Sequence, residues 1–166
     1  MKSIKLVVIA TLALAPALSQ AQEVQVTGGA NYEHGIVHVG DKNVDMDGLK
    51  FQATSEYSWG NIKGTASDLS GGGAEYQNYS FSYEKPIAIQ QSNFFISPEV
   101  GITYSRYDDG TYDESDFGPM VGASLGYNVN SRVQIVSNYN HSFGMKSSQV
   151  NINEDSMNVG FTYRFK

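Results

Sequence analysis

The sequence predicts an all-β fold: an eight-stranded antiparallel up-and-down transmembrane β-barrel, with short turns at one end and four longer extracellular loops at the other. Three observations predict it. Eight segments alternate apolar and polar residues with period two. The connections between them alternate long and short. The closing stretch, Asn158-Val159-Gly160-Phe161-Thr162-Tyr163-Arg164-Phe165-Lys166, alternates most cleanly of all, with the apolar set Val159, Phe161, Tyr163 and Phe165 on one side.

Taken in order, the segments run approximately 23–34, 48–59, 62–68, 76–86, 94–107, 117–128, 132–143 and 156–165. The third is the weakest, its apolar set being only Ile62, Gly64 and Ala66. Gly60-Asn61 reads as a two-residue hairpin signal. Gln90 to Asn93 and Val129 to Ser131 are short polar turns. The other links, about 35–47, 69–75, 108–116 and 144–155, are longer and polar. Short turns belong on the periplasmic side of such a barrel and long loops outside.

The two faces differ in kind. One carries Val26, Tyr32, Leu49, Phe51, Trp59, Phe81, Ile102, Leu125, Ile135 and Phe161, and within the strand cores it has no charge. The other carries Thr27, Asn31, Gln52, Thr54, Ser80, Ser82, Ser97, Thr103, Ser124, Asn138, Asn158 and Thr162, with Glu33, Lys50, Glu56, Lys63, Glu84, Glu99, Arg132 and Arg164 among them. Volume decides which face is enclosed. The interior of an eight-stranded barrel is just wide enough for side chains; the rings of the apolar set would overfill it, and the small polar set fits. The apolar face therefore meets lipid, where a Lys or Arg near the midplane would cost roughly 2–4 kcal/mol. Trp59, Phe94, Tyr127 and Phe165 near the short turns, and Tyr32, Tyr104, Tyr107 and Tyr139 toward the long loops, are expected as two interfacial belts.

Composition narrows the function classes. The 166 residues hold 11 basic and 17 acidic side chains, a net charge of −6, and two of the bases, Lys2 and Lys5, fall in a leader. Residues 1–21 read as a signal peptide: a basic start, the apolar run Leu6 to Leu18 broken by Pro16, and small residues at Ser19-Gln20-Ala21. Residues 22–166 are then a single barrel domain. An acid excess excludes nucleic acid as a partner, because phosphate binding needs a basic surface. The absence of cysteine excludes disulfides, thiolate metal sites and cysteine nucleophiles, and no cofactor motif is present.

The C-terminus matches a known pattern. The assembly signal polar-x-Gly-x-x-aromatic-x-aromatic stands here as Asn158-x-Gly160-x-x-Tyr163-x-Phe165, with Lys166 following where the aromatic usually closes the chain. With this motif and the strand layout, the chain resembles the small eight-stranded outer-membrane β-barrels of the OmpX/Ail and OmpA-transmembrane-domain type. The resemblance implies a bacterial outer-membrane address, contact with outer-membrane lipid and lipopolysaccharide, and insertion by the barrel assembly machinery. It also implies a surface role in adhesion, interaction or envelope integrity; a few such barrels modify lipids.

Candidate chemistry is sparse. Glu33, Glu56, Glu84 and Glu99 are expected to pair with Lys50, Lys63 and Arg164 inside the barrel, as a polar plug rather than an ion path, since buried charges persist only when paired. Asn43-x-Asp45-x-Asp47-Gly48 resembles the first half of a calcium loop, but Thr54 stands where the bidentate Glu belongs; a solvated acidic stretch is the plainer reading. The loop Asp108-Asp109-Gly110-Thr111-Tyr112-Asp113-Glu114-Ser115-Asp116, flanked by Tyr107 and Phe117, is the best candidate for contact with an unknown extracellular ligand, because aromatic side chains enrich binding hot spots. His141-Ser142 with Glu154 has the residue types of a lipid A deacylase, yet adjacent strand residues face opposite sides, so no catalytic role is assigned. His34 and His38 near the first loop could join His141 on a metal. A small pore is the third alternative.

Overall fold

The computed structural model describes residues 24–146 and 151–165. The expected signal peptide, residues 1–21, lies outside the described residues. The strands are β1 (Gln25–Val39), β2 (Lys42–Tyr57), β3 (Gly60–Gly71), β4 (Ala74–Glu84), β5 (Ile87–Ala88), β6 (Phe94–Asp108), β7 (Asp113–Asn128), β8 (Val133–Lys146) and β9 (Asn151–Arg164). Apart from β4 and β5, sequential strands pair antiparallel; β4 pairs with β6 and β1 with β9, so the sheet closes on itself. The two-residue β5 continues β4 after a break at Lys85-Pro86 and pairs with β6 through Ile87↔Ile96. The result is a closed eight-stranded barrel with one short extra strand.

The strands are longer than the alternation of apolar residues marks them. β1 and β2 stay paired to Val39↔Lys42, leaving Gly40-Asp41 as the turn. β3 and β4 stay paired to Gly71↔Ala74, and Gly72 and Gly73 take φ of 60° and 83°, which side chains other than glycine rarely adopt. The longer extracellular connections thus take the form of strand extensions. On the periplasmic side the first turn centres on Ser58-Trp59, with Tyr57↔Gly60 the last pair, two residues before the expected Gly60-Asn61.

Most strands turn their apolar set outward until one rung and polar groups outward beyond it, Phe143 on β8 and Ile36 on β1 being outward apolar residues above it. On β1 exposed Tyr32 is followed outward by His34; on β2 Leu49 gives way to Asp47, on β6 Tyr104 to Arg106, and on β9 Met157 to Asp155. Below that rung lie segments such as Phe94–Tyr104 and Met157–Phe165, of the 9–11 residues that cross a bilayer at a tilt of about 45°. The inner face changes in the opposite sense. Within the spanning part it is polar: Thr27, Asn31, Lys63, Ser82, Ser97 and Thr162 are all buried. Above it an apolar cluster of Val37, Met46, Leu69, Ala74, Tyr76, Tyr107 and Ile152 fills the bore. We call this upper part the collar.

Among the described residues, the collar wall is interrupted between β7 and β8. β7 pairs with β8 only from Met120↔Ser142 downward. Asp109 N donates to Tyr112 O, so even-numbered residues of β7 direct their backbone groups at β6 and odd-numbered ones at β8. Pro119 is odd-numbered and has no N–H to give, which ends the ladder there. Phe117 N, two residues further up, donates to Asp116 Oδ1 at 2.7 Å. β8 carries its own irregularity between Ser142 and Met145.

Candidate functional site

Three ion-paired groups line the lumen. Lys50 Nζ reaches Glu33 Oε1 at 2.8 Å. Lys63 Nζ sits between Glu84 Oε2 at 3.0 Å and Glu99 Oε2 at 2.5 Å. Arg164 holds both carboxylate oxygens of Glu56, through Nη2 at 3.2 and 3.1 Å. The pairs follow from register: Lys50 stands two rungs from Glu33 across the β1–β2 ladder, and Glu84 faces Glu99 across β4–β6. Ser82 Oγ donates to Glu99 Oε1 at 2.5 Å and Asn61 Nδ2 to Glu84 Oε1 at 3.1 Å. Each carboxylate near Lys63 therefore has a second partner, the condition under which buried charge is tolerated. Arg132, in contrast, lies in a periplasmic turn and is exposed.

Two of these groups, Lys63 with Glu84 and Glu56 with Arg164, line a cavity of about 510 Å³. Its walls include Thr27, Gln52, Thr54, Gln134 and Thr162, and its mouth the turn residues Asn93, Asn128, Asn130 and Ser131. The mouth therefore opens at the periplasmic end. Among the described residues, the apolar cluster of the collar closes the other end, so no continuous bore is formed.

At the base of that cluster lies Glu154, fully buried. Its Oε2 accepts hydrogen bonds from Asn78 Nδ2 at 2.9 Å, Tyr76 Oη at 3.1 Å and Ser142 Oγ at 3.4 Å. Burial and the neighbouring Glu33 raise its pKa to about 7, against the opposing pull of Lys50 and of the Tyr76 and Asn78 hydrogen bonds. Ser142 and Glu154 thus meet inside the barrel, while His141 points outward to Asp155. The His/Ser/Glu trio is not assembled: the base that would activate the hydroxyl is on the other side of the wall.

On the outer wall, all three histidines bind carboxylates. His34 Nδ1 lies 2.9 Å from Asp47 Oδ1, His38 Nε2 3.0 Å from Asp155 Oδ2, and His141 Nδ1 2.8 Å from Asp155 Oδ1. Tyr139 Oη donates to Asp155 Oδ1 at 2.5 Å. Burial pushes the Asp155 carboxyl up, but the hydrogen bonds from Tyr139, His141 and His38 outweigh it and hold it at about 2. The histidines do not converge on a shared metal position, and among the described residues no group of His, Asp and Glu does. The calcium-loop reading also fails on geometry. Asn43, Asp45 and Asp47 are alternate residues of β2, pointing outward about 7 Å apart, with no loop to gather them.

The β6–β7 hairpin needs one correction and some sorting. Tyr107, expected in the outer belt and on a partner surface, points inward and is 3% exposed within the apolar cluster. Arg106 grips Asp113 through two hydrogen bonds of 2.8 Å, which lowers the Asp113 carboxyl below its ordinary pKa. Asp109 Oδ1 caps the turn, accepting from Thr111 N and Tyr112 N, and Asp108 Oδ1 accepts from Gly110 N. Glu114, Asp116, Tyr112 and Phe117 remain at the surface, Phe117 at 67% exposure. At the other end, Asn158 is buried in the lumen, Tyr163 and Phe165 face outward with ring centroids 5.3 Å apart, and Gly160 admits β1, because a side chain there would strike Ala30 O and Asn31 Oδ1.

A closed barrel with an uncharged ring-bearing belt and a paired polar lumen is the architecture of a family, and the sequence matches that family's model, the outer membrane protein beta-barrel domain, over residues 6–165. The chain belongs to this family. It is a protein of the bacterial outer membrane. Among solved structures it is similar to Neisserial surface protein A, with a TM-score of 0.70 and 13% identity over 87% of this chain and 100% of that one. It is also similar to Ail, the attachment invasion locus protein of Yersinia pestis, solved with the heparin analogue sucrose octasulfate: TM-score 0.60, 15% identity, 87% and 100% coverage. The N-terminal β-barrel domain of Pseudomonas aeruginosa OprF gives a TM-score of 0.54 at 10% identity, covering 82% of this chain and 97% of that one. At these identities the likeness is one of fold. No curated protein sequence matches the chain.

Proposed function

We propose that the protein is a non-enzymatic surface barrel that contacts a cationic external partner through the β6–β7 hairpin. The observation that carries this reading is the charge on that hairpin: Asp108, Asp109 and Asp113 hold its turn together, while half-buried Glu114 and exposed Asp116, which also accepts from Phe117 N, follow on β7 between exposed Tyr112 and Phe117. Outside the hairpin, the described side chains of the extracellular surface have the same sign, with Asp41, Asp45, Asp47, Asp68, Glu75 and Asp155 against Lys42. A field of this sign attracts basic partners and repels acidic ones. The ligand in the Ail structure, sucrose octasulfate, is a polyanion, so the partner class here is the opposite one.

The test is adhesion of cells displaying the protein to amine-coated and to sulfate-coated surfaces. Adhesion to the amine surface should exceed that to the sulfate surface, and Glu114→Gln with Asp116→Asn should reduce it severalfold at equal surface display. Substitution is the right tool because deleting 107–117 would also remove Tyr107 from the collar. Equal adhesion to both surfaces, or variants as adhesive as the parent, would refute the reading.

A further inference from the structure

We propose that the collar is an acid-tightened closure: His38, held between Asn43 and Asp155, staples its outer wall, and the Glu154 carboxyl braces its inner wall beneath the apolar cluster. The two devices occupy opposite faces of the same piece of β9, and they titrate in the same sense.

The outer device rests on hydrogen-bond inventory. His38 Nδ1 faces Asn43 Oδ1 at 2.8 Å, and His38 Nε2 faces Asp155 Oδ2 at 3.0 Å. Both ring nitrogens look at oxygen acceptors, and only the imidazolium can donate from both. Losing the proton breaks one of the two bonds or forces the Asn43 amide to turn over. His38 links β1 to β2 through Asn43 and to β9 through Asp155, and His141 carries the chain of contacts on to β8. The other groups on this wall are His34, bound to Asp47 on β2; Asp45 on β2; Tyr139 on β8; and Asn153 on β9. His141 is the other base on the same carboxylate, and it takes Oδ1 while His38 takes Oδ2.

The inner device rests on burial without a cation of its own. Facing the Glu154 carboxyl are Glu33 from β1, Lys50 from β2, Tyr76 and Asn78 from β4 and Ser142 from β8, and Lys50 is already bound to Glu33. Ionised Glu154 adds a second carboxylate to a site with one ammonium. Tyr76, whose hydroxyl donates to it, is itself part of the cluster that fills the bore. Neutral Glu154 therefore favours a sealed collar.

His38 is raised above its ordinary 6.5, first by the hydrogen bond to Asn43 and then, against burial, by Asp155. Glu154 is raised from 4.5 to about 7. A group whose folded pKa is raised contributes stability that is full below its unfolded pKa and lost as pH rises through the folded one. Asp155, held at about 2, contributes above 3.8 and loses that only as pH falls toward 2. All three contributions are full together near pH 4; that of Glu154 is lost between 4.5 and about 7, and that of His38 as pH rises above 6.5. The collar is what separates the periplasm-facing cavity from the outside, so its tightening keeps the barrel shut in acid surroundings.

Amide hydrogen exchange on the full chain in lipid nanodiscs tests this. At pH 8 against pH 5.5, protection factors at Ile36–Val39 and Ile152–Asp155 should fall by roughly ten- to a hundredfold, at tenfold per pKa unit, while Ala30–Asn31 in the spanning part should not change. Glu154→Gln should keep most of the pH 5.5 protection at pH 8, and His38→Gln combined with it should leave the collar flat with pH. Nitrogen NMR of the His38 imidazole gives a readout independent of variant folding: both nitrogens protonated at pH 5.5, and one proton lost toward pH 8. Collar protection that is constant with pH, a fall shared by Ala30–Asn31, an undiminished fall in the double variant, or a neutral His38 at pH 5.5 would each overturn the proposal.

Discussion

Below the rung marked by Tyr32, Leu49, Tyr104 and Met157 each strand turns apolar groups outward; above it most of them turn inward, with Ile36 and Phe143 the outward exceptions. The pleat never changes phase. On β2, Lys50, Gly48, Met46 and Val44 all point into the bore, and Phe51, Leu49, Asp47 and Asp45 all point out. What changes is the medium outside, from hydrocarbon to water, and with it the side that the hydrophobic effect empties of charge. The spanning part is an outward-apolar barrel closed around hydrogen bonds, and the collar is an ordinary water-soluble barrel end closed around a small core. One chain meets both demands by reversing polarity at a single height.

The largest expected effect breaks the lower half of this contrast. Lys63→Met removes the cation shared by Glu84 and Glu99 and leaves two carboxylates facing each other in the lumen. Breaking a buried pair in this way costs about 3–5 kcal/mol, and urea unfolding of the barrel in phospholipid vesicles should show it. Arg164→Met, nearer the periplasmic mouth and only partly buried, should cost less. Equal losses at the two positions would mean that water reaches Lys63 as freely as it reaches Arg164, and that the lumen is not the enclosed polar core described here.

The next effect separates the two outer surfaces. Ile102→Arg puts a charge on the lipid face of β6 one outward position below the rung and should destabilise the vesicle-embedded barrel by about 1–2 kcal/mol, between the midplane and interface costs. Asp45→Arg also changes an outward residue, but on the collar wall, where surface substitutions stay within about 0.5 kcal/mol. The pair of measurements places the hydrocarbon boundary: if Asp45→Arg costs as much as Ile102→Arg, the boundary lies higher than the Tyr32–Leu49 rung.

Much of the spanning part was legible in the sequence because there the apolar face coincides with the strand's period. The lumen partners were legible as a set, since Glu33, Lys50, Lys63, Glu84, Glu99 and Arg164 all sit on the polar parity of their strands. The collar was harder because a search for outward apolar residues fails where polarity reverses, and the paired tops of β1 and β2 then read as loop. Tyr107 shows the missed signal. It shares parity with Thr103 and Ser105, which are lumen-facing, so continuing the alternation would have placed it inside despite its acidic neighbours. His38 and Asp155 are a different matter: their contact depends on the β1–β9 register, which exists only once the barrel closes, and no local pattern encodes it.

The smallest effect concerns the interruption between β7 and β8. Pro119→Thr restores an N–H on the side of β7 that faces β8 and should let the ladder run one pair beyond Met120↔Ser142. The new hydrogen bond is worth about 0.5–1.5 kcal/mol, but replacing proline frees the unfolded chain by about 0.4–1 kcal/mol, so overall stability should barely move. The readout is therefore local. Val121 N–H, the donor just below the present end of the ladder, should become better protected from hydrogen exchange, because an end that frays has been moved one step away. Unchanged protection at Val121 would place the cause on the other strand, in the irregularity of β8 between Ser142 and Met145, and the collar would then be split by the shape of β8 rather than by the missing donor of Pro119.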